Sequence, residues 1–171
     1  NEKAFTEDGY FRTGDAGRME GNTLFFTERI KDLYKTSNGK YIAPQAIEMV
    51  MSGDQYIEQI AVIGDQRKFV SALIVPAYSL LEKYAEEKGL AVGSREELVR
   101  NKEVLRLIET HIEENQKNLA SYEKIKRFTL LSEPFTMGSE LTDTLKLRRS
   151  VILKKYADSI EKMYEEASNL S

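Results

Sequence analysis

Two short apolar runs, Ile57 to Gly64 and Phe69 to Pro76, are rich in β-branched residues and stand four residues apart across Asp65-Gln66-Arg67-Lys68. Runs of that length flanking a charged turn predict an antiparallel pair of strands. From Ser79 to Leu119 the period becomes helical. Leu80, Leu81, Tyr84 and Ala85 share one face, and Val104, Leu105, Ile108 and Ile112 share another after a break near Gly89 to Ser94. This predicts two longer helices and a short one over Arg95 to Arg100. A further strand is expected at Ile125 to Leu131, stopped by Pro134, and a polar loop from Met137 to Thr144. A final helix is expected from Leu147 to Ala167 on Val151, Ile152, Tyr156, Ile160, Met163 and Tyr164.

Upstream, Gly9 to Gly39 is dense in glycine and short apolar runs. Met19 and Thr23 flank Glu20-Gly21-Asn22, which reads as a β-hairpin around a Gly-Asn turn. Pro44 opens a short helix over Gln45 to Met51 with Ile47, Val50 and Met51 as its apolar stripe, and Gly53 is expected to close it in a left-handed cap. Helices and strands are interspersed without a βαβ rhythm. The fold class expected is α+β, a small antiparallel or mixed sheet flanked by helices.

Composition removes several functions. The 28 acidic and 25 basic side chains leave a net charge of −3, with no lysine-rich tail or sustained basic face, so nucleic acid is not an expected partner. There is no cysteine, hence no disulfide, thiolate metal site or cysteine nucleophile, and the composition suits a reducing compartment. The single histidine, His111, cannot build a zinc site or a His-based triad alone, so no metal site is assigned. His111 lies beside Ile108 and Ile112 and reads as a half-buried packing residue. No run approaches the ~20 apolar residues of a membrane span, and Asn1 to Phe5 lack the layout of a signal peptide. The start at Asn1 rather than methionine suggests a piece of something longer.

Three segments carry chemistry. In Gly9-Tyr10-Phe11-Arg12-Thr13-Gly14-Asp15 an aromatic strand is read as ending in Thr-Gly-Asp. A carboxylate held there can accept hydrogen bonds from vicinal hydroxyls of a ribose, although alone the plainer reading is a β-turn with Asp15 capping its own backbone. In Glu28 to Pro44, charges alternate with apolar residues, so Arg29, Lys31 and Lys35 could face a polyanion from one side of a strand. The plainer reading is an edge strand guarded against aggregation. In Gly138-Ser139-Glu140-Leu141-Thr142-Asp143-Thr144-Leu145-Lys146-Leu147-Arg148-Arg149, a polar loop runs into a helix. A lysine there can be swung into a distant cleft toward phosphate or carboxylate. The plainer reading makes Thr144 a helix N-cap and Lys146 a surface cation.

Together, and in this order, the three segments resemble the adenylate-forming acyl-CoA synthetases, and the Leu-Thr-x-Thr-x-Lys form of the third is most similar to the long-chain fatty acid branch. The resemblance covers most of the chain, with no motif placed in Tyr84 to Leu119. It implies the C-terminal part of an AMP-forming long-chain fatty acid–CoA ligase, which joins fatty acid, ATP and coenzyme A into acyl-CoA, AMP and diphosphate. It implies that residues 1–30 are the last strands of the large adenylation domain and 31–171 a mobile lid. Asp15 corresponds to the ribose-binding carboxylate, Arg29 to the arginine near ribose and phosphate, and Lys31 to the hinge. Lys35 and Gly39 fall on the side that faces the site during thioester formation, Gly39 leaving room for pantetheine. Lys146 matches the lysine that enters during adenylation. ATP, Mg2+ and coenzyme A belong to the intact enzyme; the piece alone requires none and is expected to be inactive. The expected location is cytoplasmic, with peripheral membrane contact of the parent left open.

Two departures stand out. Asp143 occupies a position where the long-chain pattern usually has proline, which predicts a less rigid loop, and the Ser-Gly-Lys ending of the wider superfamily is absent. Two other readings remain: an interaction module docking a partner through the helices of Ser79 to Leu119, and an aryl or amino acid activating enzyme of the same superfamily.

Overall fold

The computed structural model describes residues 7–10 and 12–168. Strands β1 (Asp15–Glu20) and β2 (Thr23–Arg29) form the expected hairpin, closed by Gly21-Asn22 with Glu20 opposite Thr23. Among the described residues before it, 7–10 and 12–14, none is in a strand. Asp15 begins β1, and Gly14 at φ +76° breaks the extended run immediately before it. Phe11 lies outside the described residues.

A single 3-10 turn, Ile30–Asp32, follows β2, with the Ile30 N–H donated to Gly14 O at 2.7 Å. Two-residue strands β3 (Tyr34–Lys35) and β4 (Tyr41–Ile42) then pair antiparallel. Helix α1 (Pro44–Met51) begins on its proline as expected. Its buried stripe is Pro44, Ile47 and Met51, spaced three and four apart, while Val50 is turned outward. The helix ends on Ser52, which stays right-handed and donates its N–H to Glu48 O at 2.8 Å; Gly53 makes no left-handed cap.

The main sheet contains β5 (Ile57–Ile63), β6 (Val70–Pro76) and β7 (Ile125–Leu130), in the order β5-β6-β7. The β5–β6 pair is antiparallel, and β6–β7 is parallel, so the sheet is mixed. Central β6 is buried along its whole length, as a strand covered on both faces must be. Parallel pairing requires a crossover, supplied by α2 (Tyr78–Glu87), α3 (Arg95–Leu98) and α4 (Lys102–Asn115). These are the two longer helices and the short one that were expected. Tyr78, Leu81 and Ala85 of α2 are buried while Leu80 is outward, and Val104, Ile108 and Ile112 of α4 are buried. The apolar faces of these helices are thus spent on the chain's own core.

The Gln116 amide acts as a short piece of strand. Gln116 accepts the Ile125 N–H at 2.8 Å and donates back to Ile125 O at 3.4 Å, satisfying the start of β7. His111 is half-buried as expected, edge-on to Tyr56 with ring centroids 4.8 Å apart. Its Nδ1 lies 2.7 Å from the Asp54 carboxylate, which also accepts from Asn115 and the Tyr56 N–H.

The expected final helix is two: α5 (Arg149–Lys155) and α6 (Ala157–Ser168), separated at Tyr156, whose φ −107° and ψ 21° leave the helical region. No proline or glycine marks the break. Tertiary contacts do: the Tyr156 hydroxyl is 3.4 Å from the Glu140 carboxylate, and its ring packs edge-on to Phe135.

Candidate functional site

The segment between β7 and α5 is fastened at several points. Gln59 on β5 accepts the Phe135 N–H at 2.7 Å and donates to Phe135 O at 3.3 Å. Five residues on, Glu140 is fully buried. Its carboxylate accepts from the Thr136 N–H at 3.1 Å, from the Thr136 hydroxyl at 3.2 Å and from the Lys155 ammonium on α5. Burial alone would push this carboxyl up, but the hydrogen bonds from Lys155 and Thr136 overcome it and hold the group at about 2. The Glu140 carbonyl accepts the Arg148 N–H at 2.7 Å, and the Arg148 guanidinium reaches the carbonyls of Gly138 and Ser139.

Above that base the chain forms a tight hairpin. Leu141 bridges Leu147, the Thr142 N–H donates to Lys146 O at 2.8 Å, and the Leu145 N–H donates to Thr142 O at 2.9 Å. Asp143 and Thr144 keep negative φ while Leu145 sits at φ +61°. This is a type I turn followed by a left-handed residue, the usual three-residue hairpin closure. Lys146 comes next, exposed, so the lysine is presented on a pinned tip rather than swung by a loose loop. Thr144 is not an N-cap, since α5 starts only at Arg149. Glycine is the residue that takes φ +61° without steric cost. Leu145→Gly is accordingly expected to leave the fold as stable or up to about 1 kcal/mol more stable, and Leu145→Val to destabilise it by about 1 kcal/mol, read by thermal unfolding.

Leu145 and Lys146 open onto a groove of about 870 Å³ whose wall includes Asp32, Tyr34, Glu48 and Met49. Arg149, three residues beyond Lys146, fixes that wall. Its guanidinium makes two bonds to the Glu48 carboxylate, at 2.7 and 3.0 Å, and lies 5.5 Å from the Tyr34 ring centroid. Glu48 also accepts the Val62 N–H at 2.9 Å, so one carboxylate joins α1, β5 and the start of α5. Burial works against the Arg149 charge, yet the Glu48 bonds raise its pKa, and burial pushes the Tyr34 phenol up.

Tyr34 shares β3 with Lys35, and alternation along a strand turns their side chains to opposite faces. Tyr34 belongs to the groove with Lys146; exposed Lys35 points away, 5.7 Å from the Tyr41 ring centroid. The Lys35 backbone is gripped on both sides, its N–H by the Asp65 carboxylate at 3.2 Å and its carbonyl by the Gln66 N–H at 2.9 Å. Gly39 lies in the turn between β3 and β4 at φ +80°, with open space where a Cβ would be. Its backbone conformation alone accounts for a glycine.

Asp15 and Arg29 face each other as partners at the open end of the β1–β2 hairpin, and the Asp15 N–H donates to the Thr13 hydroxyl at 3.3 Å. Lys31 lies in the 3-10 turn between that hairpin and β3. Arg29, Lys31 and Lys35 therefore occupy three successive elements and not one side of a single strand, because the 3-10 turn breaks the alternation. Sequence reasoning gave no role to Glu140, Glu48 or Arg149, whose charged partners lie 15 or 101 residues away. Among the described residues no group of three or more histidine or acidic side chains converges to hold a metal ion. Among the same residues no helix is long and apolar enough to cross a membrane.

A small mixed sheet flanked by helices is also the architecture of the C-terminal regions of solved adenylation domains. The adenylation domain of a carboxylate reductase from Mycobacterium chelonae superposes with a TM-score of 0.73 at 28% identity, covering 96% of this chain and 24% of that one. Residues 31–168 match the AMP-binding enzyme C-terminal domain, and the chain belongs to that family within the adenylate-forming superfamily. It is 34% identical over 169 residues to long-chain-fatty-acid–CoA ligase 5 of Mus musculus, covering 96% of this chain and 25% of the ligase. A long-chain-fatty-acid–CoA ligase of Mycobacterium tuberculosis is 32% identical over 172 residues, covering 97% of this chain and 29% of its own length. The chain thus spans between a quarter and three-tenths of the length of these relatives.

Proposed function

We propose that this chain is the C-terminal part of an AMP-forming long-chain fatty acid–CoA ligase, residues 1–30 completing the large domain and 31–171 forming its mobile lid. The observation that carries the reading is the placement of Lys146 and Lys35: one on a pinned, exposed tip over a groove that Tyr34 also lines, the other turned to the opposite face of strand β3 from Tyr34. A two-step reaction needs two such faces. In the first step a carboxylate oxygen attacks the α-phosphorus of ATP, a C(O)O–P bond forms, and the bond to pyrophosphate breaks. Two anions meet, and the Lys146 ammonium stabilises the charge that develops between them. In the second, the coenzyme A thiol gives up its proton, its sulfur bonds to the carbonyl carbon, and AMP leaves. Lys146 must then be out of the way, so the lid turns about Lys31 and presents Lys35 and the Gly39 turn. Asp15 holds the ribose hydroxyls, with Arg29 across the hairpin beside ribose and phosphate.

Long-chain acid is favoured by the relatives, which are long-chain-fatty-acid–CoA ligases. The likeness to a carboxylate reductase adenylation domain supports a second reading, in which the same acyl-adenylate goes to an acceptor other than coenzyme A. Pyrophosphate exchange by the full-length protein, with palmitate, benzoate and an amino acid compared, tests the acid. Coenzyme A-dependent AMP release then tests the acceptor. Exchange with palmitate and acyl-CoA formation are expected; exchange only with benzoate or an amino acid, or no coenzyme A dependence, overturns the reading. The chain alone is expected to make no acyl-CoA, with activity returning when the matching N-terminal domain is added.

A further inference from the structure

We infer that Thr142 is the positioning residue for Lys146. This rests on the reading of Lys146 as the adenylation lysine. The Thr142 hydroxyl accepts the Lys146 N–H at 3.1 Å and lies 3.1 Å from the Thr144 hydroxyl, while the Thr142 backbone N–H and carbonyl bond Lys146 O and the Leu145 N–H. One residue therefore holds four points of a tip only three residues long.

The tip needs that hold. Its second turn position, Asp143, is where proline ordinarily fixes φ in a type I turn, and aspartate leaves the angle free. Its third residue, Leu145, is held at φ +61° against the preference of an L side chain. Leu145 is 65% exposed, so core packing does not enforce that angle. The bond from the Lys146 N–H to the Thr142 hydroxyl spans Leu145 and closes the strained residue into the turn. Without it, the tip relaxes, and the lysine, at the end of a long stem, no longer reaches one fixed point. A displacement of about 1 Å in a reacting group can cost about 100-fold in rate.

The test is made in the full-length protein, with pyrophosphate exchange for the first half-reaction and coenzyme A attack on supplied acyl-adenylate for the second. Thr142→Val removes the hydroxyl at nearly constant volume. It is expected to lower kcat of the first half-reaction about tenfold or more, with KM for ATP and acid little changed and the second half-reaction intact, which also reports a folded lid. Thr142→Ser keeps the hydroxyl and is expected to stay within about twofold of the parent. Adding Asp143→Pro to Thr142→Val restores the missing restraint and is expected to recover much of the loss. Thr142→Val at parental rate while Lys146→Ala is slow overturns this inference alone, as does a Thr142→Ser variant as slow as the valine. A Lys146→Ala variant at full adenylation rate overturns the reading of Lys146 itself and the inference with it.

Discussion

Lys146→Ala in the full-length protein is expected to slow acyl-adenylate formation about 100- to 1000-fold and to leave coenzyme A attack on supplied acyl-adenylate near the parental rate. The magnitude is that of removing one preorganised contact to charge developing in a transition state. The asymmetry follows from geometry. Lys146 sits on a tip anchored by Glu140, Arg148 and the Thr142 hydroxyl, so removing its side chain touches no core contact. Lys35 stands on the opposite face of β3 from the groove that Lys146 lines. Pyrophosphate exchange and thioester formation measured separately check the result. Equal loss in both half-reactions, or in neither, contradicts the assignment.

The second large effect is on stability. Lys155→Met keeps the aliphatic stem and removes the ammonium that faces the fully buried Glu140 carboxylate. Breaking one partner of a buried pair typically costs 3–5 kcal/mol because the remaining charge is left uncompensated. Lys155 is itself half exposed, which places the expected loss near the lower end, about 3 kcal/mol at pH 7. The pH dependence gives this prediction its signature. With Lys155 present, the Glu140 carboxyl is held at about 2, below its ordinary 4.5. Its contribution to stability is therefore full above about pH 4.5 and is lost as pH falls through about 2. In Lys155→Met the carboxyl rises, a proton neutralises it at milder acidity, and the penalty shrinks. Denaturant unfolding at pH 7 and pH 4 should show a large gap between parent and variant that narrows on acidification. A constant gap would mean lost packing instead of lost charge.

Much of the frame was legible in the residues. The Gly21-Asn22 turn, Pro44 at the start of α1, and the β-branched runs of β5 and β6 are local signals that the fold obeys. The misreadings fall where distant contacts decide. Val50 and Leu80 carry apolar side chains at helical spacing, yet the core meets Ile47 and Leu81 at a slightly different angle and leaves them outside. The break at Tyr156 carries no proline or glycine, and it falls where that residue meets Phe135 and Glu140. The direction of β7 is invisible in its own six residues, since pairing direction depends on the connection that delivers the strand. At the candidate site, Lys146 stood out by resemblance, but its setting did not. Nothing in Leu145 announces a positive φ; hairpin closure imposes it.

The parallel β6–β7 pair has a kinetic consequence. Strands β5 and β6 meet across residues 64–69, a short loop with a small closure entropy, whereas β7 must wait for residues 77–124 to collapse into helices before it finds its place. The lysine hairpin hangs from β7 and from β5 through Gln59. As the chain refolds, an early β5–β6 nucleus can therefore exist while the tip that bears Lys146 lacks the β7 side of its anchorage, and the proposed chemical end of the lid is assembled after that nucleus.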